Sequence, residues 1–367
     1  MLAQLSDTIR AAAAARQCLR LRGGGTKDFY GQSLEGEILD LRGHAGILDY
    51  DPGELVVSAR CGTPLAELEA VLRGEGQMLA FEPPYFAAPG AALATAVPTA
   101  VPTFGGAIAA GLSGPRRQAA GALRDFVLGA TLMNGAGEVL RFGGQVMKNV
   151  AGYDVSRLLA GSLGTLGVIL EASLKTLPLP VAEASLRFEL PEERAITTLN
   201  HWAARPLPIS ASAWSGGSLA IRLSGAAAAV SAACDRLGGE RLADVEAAQF
   251  WRGLRDHSEP FFASCSAQQV PLWRLSVPSN TPPLALSGAC LIEWGGALRW
   301  LASRADPRTV RGAVARAGGH ATLFRGGDKL AGVFQPLAPA LEKIHRNLKA
   351  EFDPQGVFNR GRMYPGW

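Results

Sequence analysis

The sequence contains little of what marks metal clusters, disulfide frameworks or nucleic-acid binding. Its 367 residues include five cysteines, which lie far apart and form no C-x-x-C pair, so neither a zinc ribbon nor an iron–sulfur cluster is indicated. A sparse, odd number of cysteines favours a reducing compartment over a disulfide framework. Lysine and arginine never form a run of five and the net charge is only +4, which gives nucleic-acid binding little support.

Charged residues are missing from a long internal stretch, between Glu82 and Arg116. The stretch is long enough to span a bilayer, but it consists mainly of alanine, glycine, threonine and proline. Such residues interrupt a helix and insert weakly into a membrane, so we expect no transmembrane segment. Residues 1–17 predict a short amphipathic helix, because they lack the basic region and long apolar stretch of a signal peptide.

What the sequence does contain is a large apolar fraction and two regions of different pattern. Apolar residues make up 48% of the chain and charged residues 19%, which is enough for a large core. Residues 1–178 are rich in glycine and in short strand-like runs, whereas residues 179–335 alternate predicted strands and helices. The second pattern predicts an α+β fold with an antiparallel sheet. Residues 336–367 predict a helix followed by a loop.

The first chemical signal is a run of three glycines in Arg22–Thr26 (RGGGT), directly after a predicted strand. Because glycine has no side chain, successive backbone N–H groups can face the same way and form a concave nest for an anion. The Thr26 hydroxyl is a further donor. This pattern suits a pyrophosphate group, and the alternative is an ordinary flexible turn.

A second segment, Gly161–Gly167 (GSLGTLG), has the spacing G-x-x-G-x-x-G. A Rossmann fingerprint has a strand before its glycines and a helix after them. Here the predicted order is reversed, with a helix-like run at Val155–Leu159 and a long apolar run at Leu166–Leu177. We therefore exclude a Rossmann site; a tight helix-to-strand corner is the alternative to a binding role.

A third segment, Pro102–Gly111 (PTFGGAIAAG), places two glycines at the start of a helix of small residues. Backbone N–H groups at such a start can face an anion. Close packing of the helix through its small residues explains the pattern equally well, so this segment alone does not predict a site.

Taken in order, these segments resemble the vanillyl-alcohol-oxidase/p-cresol-methylhydroxylase (PCMH) family of FAD-binding proteins. Further matching strings are Asp125–Gly129 (DFVLG), Lys148–Asp154 (KNVAGYD), and FDP with NRGR in Phe352–Arg362. The resemblance implies a PCMH-type FAD-binding domain of two α/β subdomains in residues 1–178. It also implies an α+β cap domain with an antiparallel sheet in residues 179–335, and a C-terminal segment, 336–367, that returns to the flavin domain.

The same resemblance implies that FAD is bound by residues of these motifs. They are Arg22, Gly23, Gly24, Gly25, Thr26, Thr103, Gly105, Gly106, Gly111, Gly152, Asp154, Gly161, Ser162, Gly164, Thr165, Gly167, Val168, Ile169 and Asn359. One departure lies beside them: a near-duplicated AVPT, at Ala96–Thr99 and Ala100–Thr103, indicates a short insertion in Ala91–Thr103 relative to the family. The insertion affects the loop expected next to the flavin.

Within the family, the strings at 81–84, 109–117 and 141–167 resemble the FAD-binding subunits of glycolate oxidases most closely. This resemblance implies an FAD-dependent oxidoreductase that oxidises glycolate to glyoxylate within a complex. The implied partners are a second flavin subunit of the GlcD type and an iron–sulfur subunit of the GlcF type. The implied location is the cytoplasm, or the inner face of the membrane through the complex.

Two other functions stay open at this stage, and no catalytic residue is assigned. The first alternative is a self-sufficient FAD-dependent dehydrogenase of a 2-hydroxy acid such as D-lactate. The second is a scaffolding subunit with little or no flavin. Its five histidines form no H-x-H or H-x-x-H pair, so no metal site is predicted and primary oxidation by this subunit is less expected.

Arg116 and Arg117 are candidates for binding a substrate carboxylate, or else belong to a solvated loop or subunit contact. No histidine adjoins Arg22–Thr26, so we expect non-covalent FAD.

Overall fold

The computed structural model of the chain describes residues 1–86, 101–144 and 153–367. Its first half contains α1 (Leu2–Ala14), β1 (Leu19–Arg22), β2 (Glu37–Asp40), β3 (Ile47–Asp51), β4 (Val56–Arg60), α2 (Leu65–Gly74), β5 (Gln77–Met78), α3 (Phe104–Ala110), α4 (Arg117–Ala120), α5 (Leu123–Phe126), β6 (Val127–Met133), β7 (Val139–Gly143), α6 (Val155–Leu158), β8 (Val168–Lys175) and β9 (Leu177–Pro178). Its second half contains β10 (Ala182–Glu189), α7 (Glu192–Ala203), β11 (Ile209–Ser215), β12 (Ser218–Gly225), α8 (Ala227–Leu237), β13 (Glu240–Arg241), α9 (Asp244–Asp256), α10 (Pro260–Ala267), β14 (Leu272–Ser276), β15 (Ala289–Glu293), β16 (Leu298–Ala302), α11 (Pro307–Arg316), β17 (His320–Arg325) and α12 (Pro339–Phe352).

A five-stranded antiparallel sheet forms the centre of the first half, with the strand order β3-β4-β8-β6-β7. The turn between β6 and β7 forms because Asn134 Oδ1 accepts hydrogen bonds from the N–H groups of Ala136 and Glu138. One face of the sheet packs against α2 and α3. The core between them includes Val57, Ala59, Leu65, Leu68, Leu72, Phe81, Phe104, Ile108, Leu132, Ile169 and Leu174.

The C-terminal tail joins the layer formed by α1, β1 and β2. Strands β1 and β2 pair in parallel. The N–H of Leu19, in β1, donates to the carbonyl of Val357, and the N–H of Asn359 donates to the carbonyl of Leu19. The buried carboxylate of Asp353 accepts from the N–H groups of Val357 and Phe358 at 2.8 Å. The end of the chain is thereby held beside the loop that follows β1.

The second half is built on an eight-stranded antiparallel sheet, in the order β13-β10-β12-β11-β15-β16-β14-β17. Helices α7, α8 and α11 pack on one face. The other face packs against α9 and α10, and also against Tyr30, Ala110 and Leu163 of the first half. The predicted α+β fold with an antiparallel sheet is confirmed. Within the described ranges, no helix combines the length and the apolar character needed to cross a membrane.

Candidate functional site

The loop after β1 is the first of three segments that meet in the structure. Gly25 has a φ of +75°, a left-handed conformation that glycine adopts without strain. The Arg22 side chain folds back over Gly25, and its Nε lies 2.9 Å from Asp28 Oδ2. This ion pair closes the loop, and Thr26 is buried at its end.

The start of α3 lies directly against this loop. A Cβ atom at Gly23 would overlap Thr103 Oγ1, and a Cβ atom at Gly24 would overlap the carbonyl oxygen of Val101. Thr103 is the N-cap residue of α3, and its Oγ1 accepts from the N–H of Gly106 at 3.2 Å. The close approach of the two segments requires glycine in the loop, because any side chain would push them apart.

The corner between α6 and β8 forms the third side. Its glycines follow a helix and precede a strand, as predicted. Asn359, from the C-terminal tail, donates from Nδ2 to the carbonyl of Leu163 at 2.7 Å and accepts from the N–H of Leu21 at 2.9 Å. A Cβ atom at Gly164 would lie 2.7 Å from Asn359 Nδ2. Asn359 therefore connects β1, the corner and the tail.

Two adjoining cavities lie between these segments. The first is bounded by the loop after β1 and by Lys27, Asp28 and Arg362. The second extends toward Leu41 and Cys61. Residues that line both are Leu21, Gly23, Thr103, Gly106, Ala109, Leu163 and Asn359. The predicted site residues that line at least one of the two are Arg22, Gly23, Gly24, Gly25, Thr26, Thr103, Gly105, Gly106, Gly164, Gly167, Ile169 and Asn359.

Four other predicted residues contact the same corner without lining these two cavities. Gly161, Ser162 and Thr165 line a separate, mainly apolar cavity beside α12. Gly111 ends α3 with a φ of +62°, and a Cβ atom there would lie 2.7 Å from the N atom of Gly161. Gly111 therefore allows α3 and the corner to pack closely against each other.

The remaining predicted residues lie elsewhere. Asp154 is the N-cap residue of α6, where it accepts from the N–H of Arg157 at 3.2 Å. Val168 is buried in the core between α1 and the tail, because successive side chains of β8 point to opposite faces and Ile169 takes the cavity side. Gly152 lies outside the described residues.

Two cations beside the first cavity are absent from the predicted set. Lys27 Nζ donates to the carbonyl of Pro84 at 3.0 Å, and burial lowers the pKa of Lys27 to about 8. Arg362 Nη2 donates to the carbonyl of Lys27 at 2.9 Å, and burial lowers the pKa of Arg362 to about 10. The NRGR string contains Arg362, but its place at the loop follows only from a contact across 335 residues.

The paired arginines Arg116 and Arg117 lie away from the two cavities. Arg116 is buried, and its Nη2 lies 2.6 Å from Glu183 Oε1. Its backbone N–H donates to Glu82 Oε2 at 2.7 Å. The guanidinium of Arg117 stacks over the Trp294 ring at 4.2 Å. Both arginines therefore join the two halves of the chain, a role that differs from the solvated loop and the subunit contact expected from the sequence and that does not support carboxylate binding.

The residues that line the two cavities suit the chemistry of an extended, anionic dinucleotide. The close approach of Gly23 and Gly24 to Thr103 and Val101 shapes a glycine-lined cradle, because a side chain at either glycine would push the two segments apart. Arg362 Nε is buried and has no hydrogen-bond partner in the described part of the chain, so a cation is available to an anion in the first cavity. Leu41, Cys61 and Ile169 give the second cavity an apolar lining, which suits a planar base. Among residues 1–86, 101–144 and 153–367, no three His, Cys, Asp or Glu side chains are grouped to hold a metal ion.

Comparisons with known proteins agree with this fit. A protein family described as "FAD binding domain" matches residues 2–143. The glycolate oxidase subunit GlcE of Escherichia coli (strain K12) is 46% identical over 98% of this chain and 96% of its own length. The glycolate oxidase subunit GlcD of Bacillus subtilis (strain 168) is 37% identical over 29% of this chain and 23% of its own. A D-lactate dehydrogenase of Anaerostipes hadrus is 35% identical over 38% of this chain and 26% of its own.

The similarity to solved structures concerns the fold. An alkyldihydroxyacetonephosphate synthase superposes with a TM-score of 0.60 over 99% of this chain and 75% of its own, at 15% identity. The fold and the glycine-lined cradle thus define the class, an FAD-binding protein of the PCMH type. Within that class, the chain belongs to the GlcE family of glycolate oxidase subunits.

Proposed function

We propose that this chain is the FAD-binding subunit of a complex that oxidises glycolate to glyoxylate. One observation carries the proposal. The loop after β1, the start of α3 and the corner held by Asn359 meet around adjoining cavities in a chain that is 46% identical to a GlcE subunit along nearly its whole length.

The residues of the chain have separate roles in this proposal. FAD, when bound, accepts the electrons that leave the CH–OH group of the substrate. The backbone N–H groups of Gly23–Gly25 and the Thr26 hydroxyl bind the pyrophosphate. The second cavity, beside Gly167 and Ile169, holds the nucleotide end. Asn359 fixes the distance between these two regions because it binds both β1 and the corner.

Non-covalent binding of FAD is part of the proposal. Cys61 lines the second cavity, and burial raises the pKa of its thiol. Attachment through sulfur requires a thiolate, which this environment disfavours. Treatment with acid or denaturant should therefore release all of the flavin from the protein, and flavin that stays with the unfolded chain would contradict non-covalent binding.

The proposed partners are a second flavin subunit of the GlcD type and an iron–sulfur subunit of the GlcF type. The proposal is supported by the similarity of this chain to two different subunits of glycolate oxidases, GlcE and GlcD. The chain's own cysteines lie far apart in sequence, so an iron–sulfur cluster is assigned to a partner. Oxidation of substrate is proposed to require the assembled complex, at a cytoplasmic location or at the inner face of the membrane.

The test is the visible absorption of the purified chain under anaerobic conditions, alone and with its partner subunits. A yellow protein that glycolate bleaches only after the partners are added supports the proposal. Bleaching by glycolate or D-lactate without partners would show a self-sufficient dehydrogenase. A colourless chain that still assembles with the partners would show a scaffolding subunit.

A further inference from the structure

We propose that Arg362 is the cationic ligand of the FAD pyrophosphate, supplied by the C-terminal tail to the nest formed after β1. The inference rests on the proposed FAD-binding function and adds to it a residue that closes the pyrophosphate site.

The backbone of Arg362 is fixed from two sides. Its N–H donates to the carbonyl of Asn359 at 3.0 Å, and its carbonyl accepts from the N–H of Gln32 at 2.8 Å. Its Nη2 donates to the carbonyl of Lys27 at 2.9 Å, the residue directly after the RGGGT loop. The guanidinium is therefore held beside the nest and lines the same cavity as Gly23–Gly25.

The guanidinium is nearly enclosed but incompletely bonded. Arg362 is only 7% exposed, and its Nε has no hydrogen-bond partner in the described ranges. A guanidinium carries N–H donors on all three nitrogens, and a buried cation without an anion is unfavourable. An anion in the adjoining cavity would accept from these donors and remove that cost.

The charges around the first cavity match a pyrophosphate diester. The lining of this cavity contains three cations, Arg22, Lys27 and Arg362, and one carboxylate, Asp28. Arg22 is already paired with Asp28 at 2.9 Å, so Lys27 and Arg362 supply the excess positive charge. A pyrophosphate diester is a doubly charged anion, which the pair would neutralise.

Arg362 is the better placed of these two cations for direct contact. Lys27 Nζ is already engaged with the carbonyl of Pro84 at 3.0 Å and lies 3.4 Å from Thr26 Oγ1. The planar fork of arginine presents parallel donors that suit phosphate oxygens. Lys27 therefore contributes charge, and Arg362 contributes charge and direct hydrogen bonds.

The experiment compares ADP, which carries a pyrophosphate, with adenosine, which carries none. The full-length chain is freed of flavin and titrated with each compound by calorimetry. The wild type should bind ADP more tightly than adenosine. Arg362→Met should weaken ADP binding by about 10- to 100-fold, the effect of losing a charge-assisted hydrogen bond, and leave adenosine binding unchanged. Arg360→Met is the matched control, because Arg360 is exposed and donates to the carbonyl of Gly356 in its own turn.

Arg362→Gln is a second neutral variant, whose amide can keep a hydrogen bond to the Lys27 carbonyl if the methionine variant does not fold. The role of Arg362 would be overturned if a folded neutral variant showed the same ratio of ADP affinity to adenosine affinity as the wild type. A wild-type chain that binds FAD, ADP and adenosine with no measurable affinity would instead overturn the proposed function itself.

Discussion

Asn359 donates its side-chain N–H to the carbonyl of Leu163 at 2.7 Å, across 196 residues of sequence. Both residues have positive φ angles, +42° for Asn359 and +53° for Leu163. Asparagine tolerates this conformation better than most residues. The contact holds two strained backbone segments at the wall shared by the two cavities, so the geometry of the whole cradle depends on it.

Replacement of Asn359 by aspartate should damage both stability and flavin binding. Aspartate keeps the size and still accepts from the N–H of Leu21, but it cannot donate to Leu163 and places a carboxylate oxygen against that carbonyl. We expect a loss of about 2 kcal/mol in the free energy of unfolding, as for a broken buried hydrogen bond, and a lower flavin-to-protein ratio. Urea denaturation and absorption of the purified variant measure the two effects.

The control for this variant is Asn200→Asp in the second half. Asn200 Nδ2 donates to the carbonyls of Ile196 and Ser279, so its loss should also lower stability. It lies far in sequence from the glycine segments and lines neither cavity, so the flavin ratio should not change. An equal fall in flavin for both variants would mean that general instability causes the loss.

Gly24→Ala should reduce flavin retention strongly. A Cβ atom at Gly24 would overlap the carbonyl oxygen of Val101, so the loop after β1 and the start of α3 must move apart and the nest is distorted. The measurement is the amount of FAD that stays bound through gel filtration. Gly74→Ala, near the end of α2, is the control, because nothing lies within 4 Å of a Cβ atom there. Full retention in Gly24→Ala would remove the RGGGT loop from the site.

The glycine segments could be located from the sequence because their geometry is local. Gly25 adopts a φ of +75° and Gly164 one of +70°, and clustered glycines in a strand-to-loop pattern mark such positions. The order of helix, glycines and strand around Gly161–Gly167 was likewise correct. The turn at Asn134–Gly137 is also local, because an Asn-Gly pair between two strand-like runs is typical of a hairpin.

Long-range contacts could not be obtained in this way. Nothing local to Arg362 shows that it reaches Lys27, 335 residues away, or that Arg116 pairs with Glu183. Local patterns also do not predict helices α9 and α10 or strand β16. In α9 a helical signal is present, because Ala247, Trp251 and Leu254 recur at helical spacing and are buried, but the mostly polar flanking residues weaken it.

Lys27→Met should stabilise the flavin-free protein at neutral pH. Burial lowers the pKa of Lys27 from 10.5 to about 8, so below pH 8 both the folded and the unfolded chain carry the proton and the cost of burying it is fully present. Between about pH 8 and 10.5 the folded wild type loses a proton that the unfolded chain retains, and the wild type gains stability. The advantage of the variant should be about 2 kcal/mol below pH 8, after allowance for partial screening, and should decline as the pH rises above 8.

Urea denaturation at a series of pH values measures this difference, with Lys343→Met as control because Lys343 is exposed on α12. The same variant should bind FAD less tightly than the wild type, because it removes positive charge from the first cavity. A stability difference that stays constant through pH 8 to 10.5 would show that the Lys27 ammonium is well solvated.

Arg116→Met separates the two interpretations of the paired arginines. Arg116 is buried between Glu183 and Glu82, and Arg222 Nη2 also lies 2.9 Å from Glu82 Oε1. Removing one cation leaves two carboxylates with a single arginine, and we expect the free energy of unfolding to fall by about 3 kcal/mol. Arg124→Met, at an exposed ion pair, should change stability by less than about 0.5 kcal/mol. The opposite result is an Arg116→Met variant that keeps wild-type stability but has a raised KM for glycolate in the assembled complex. That result would show that Arg116 binds the substrate carboxylate and that Arg222 maintains the link between the two halves of the chain.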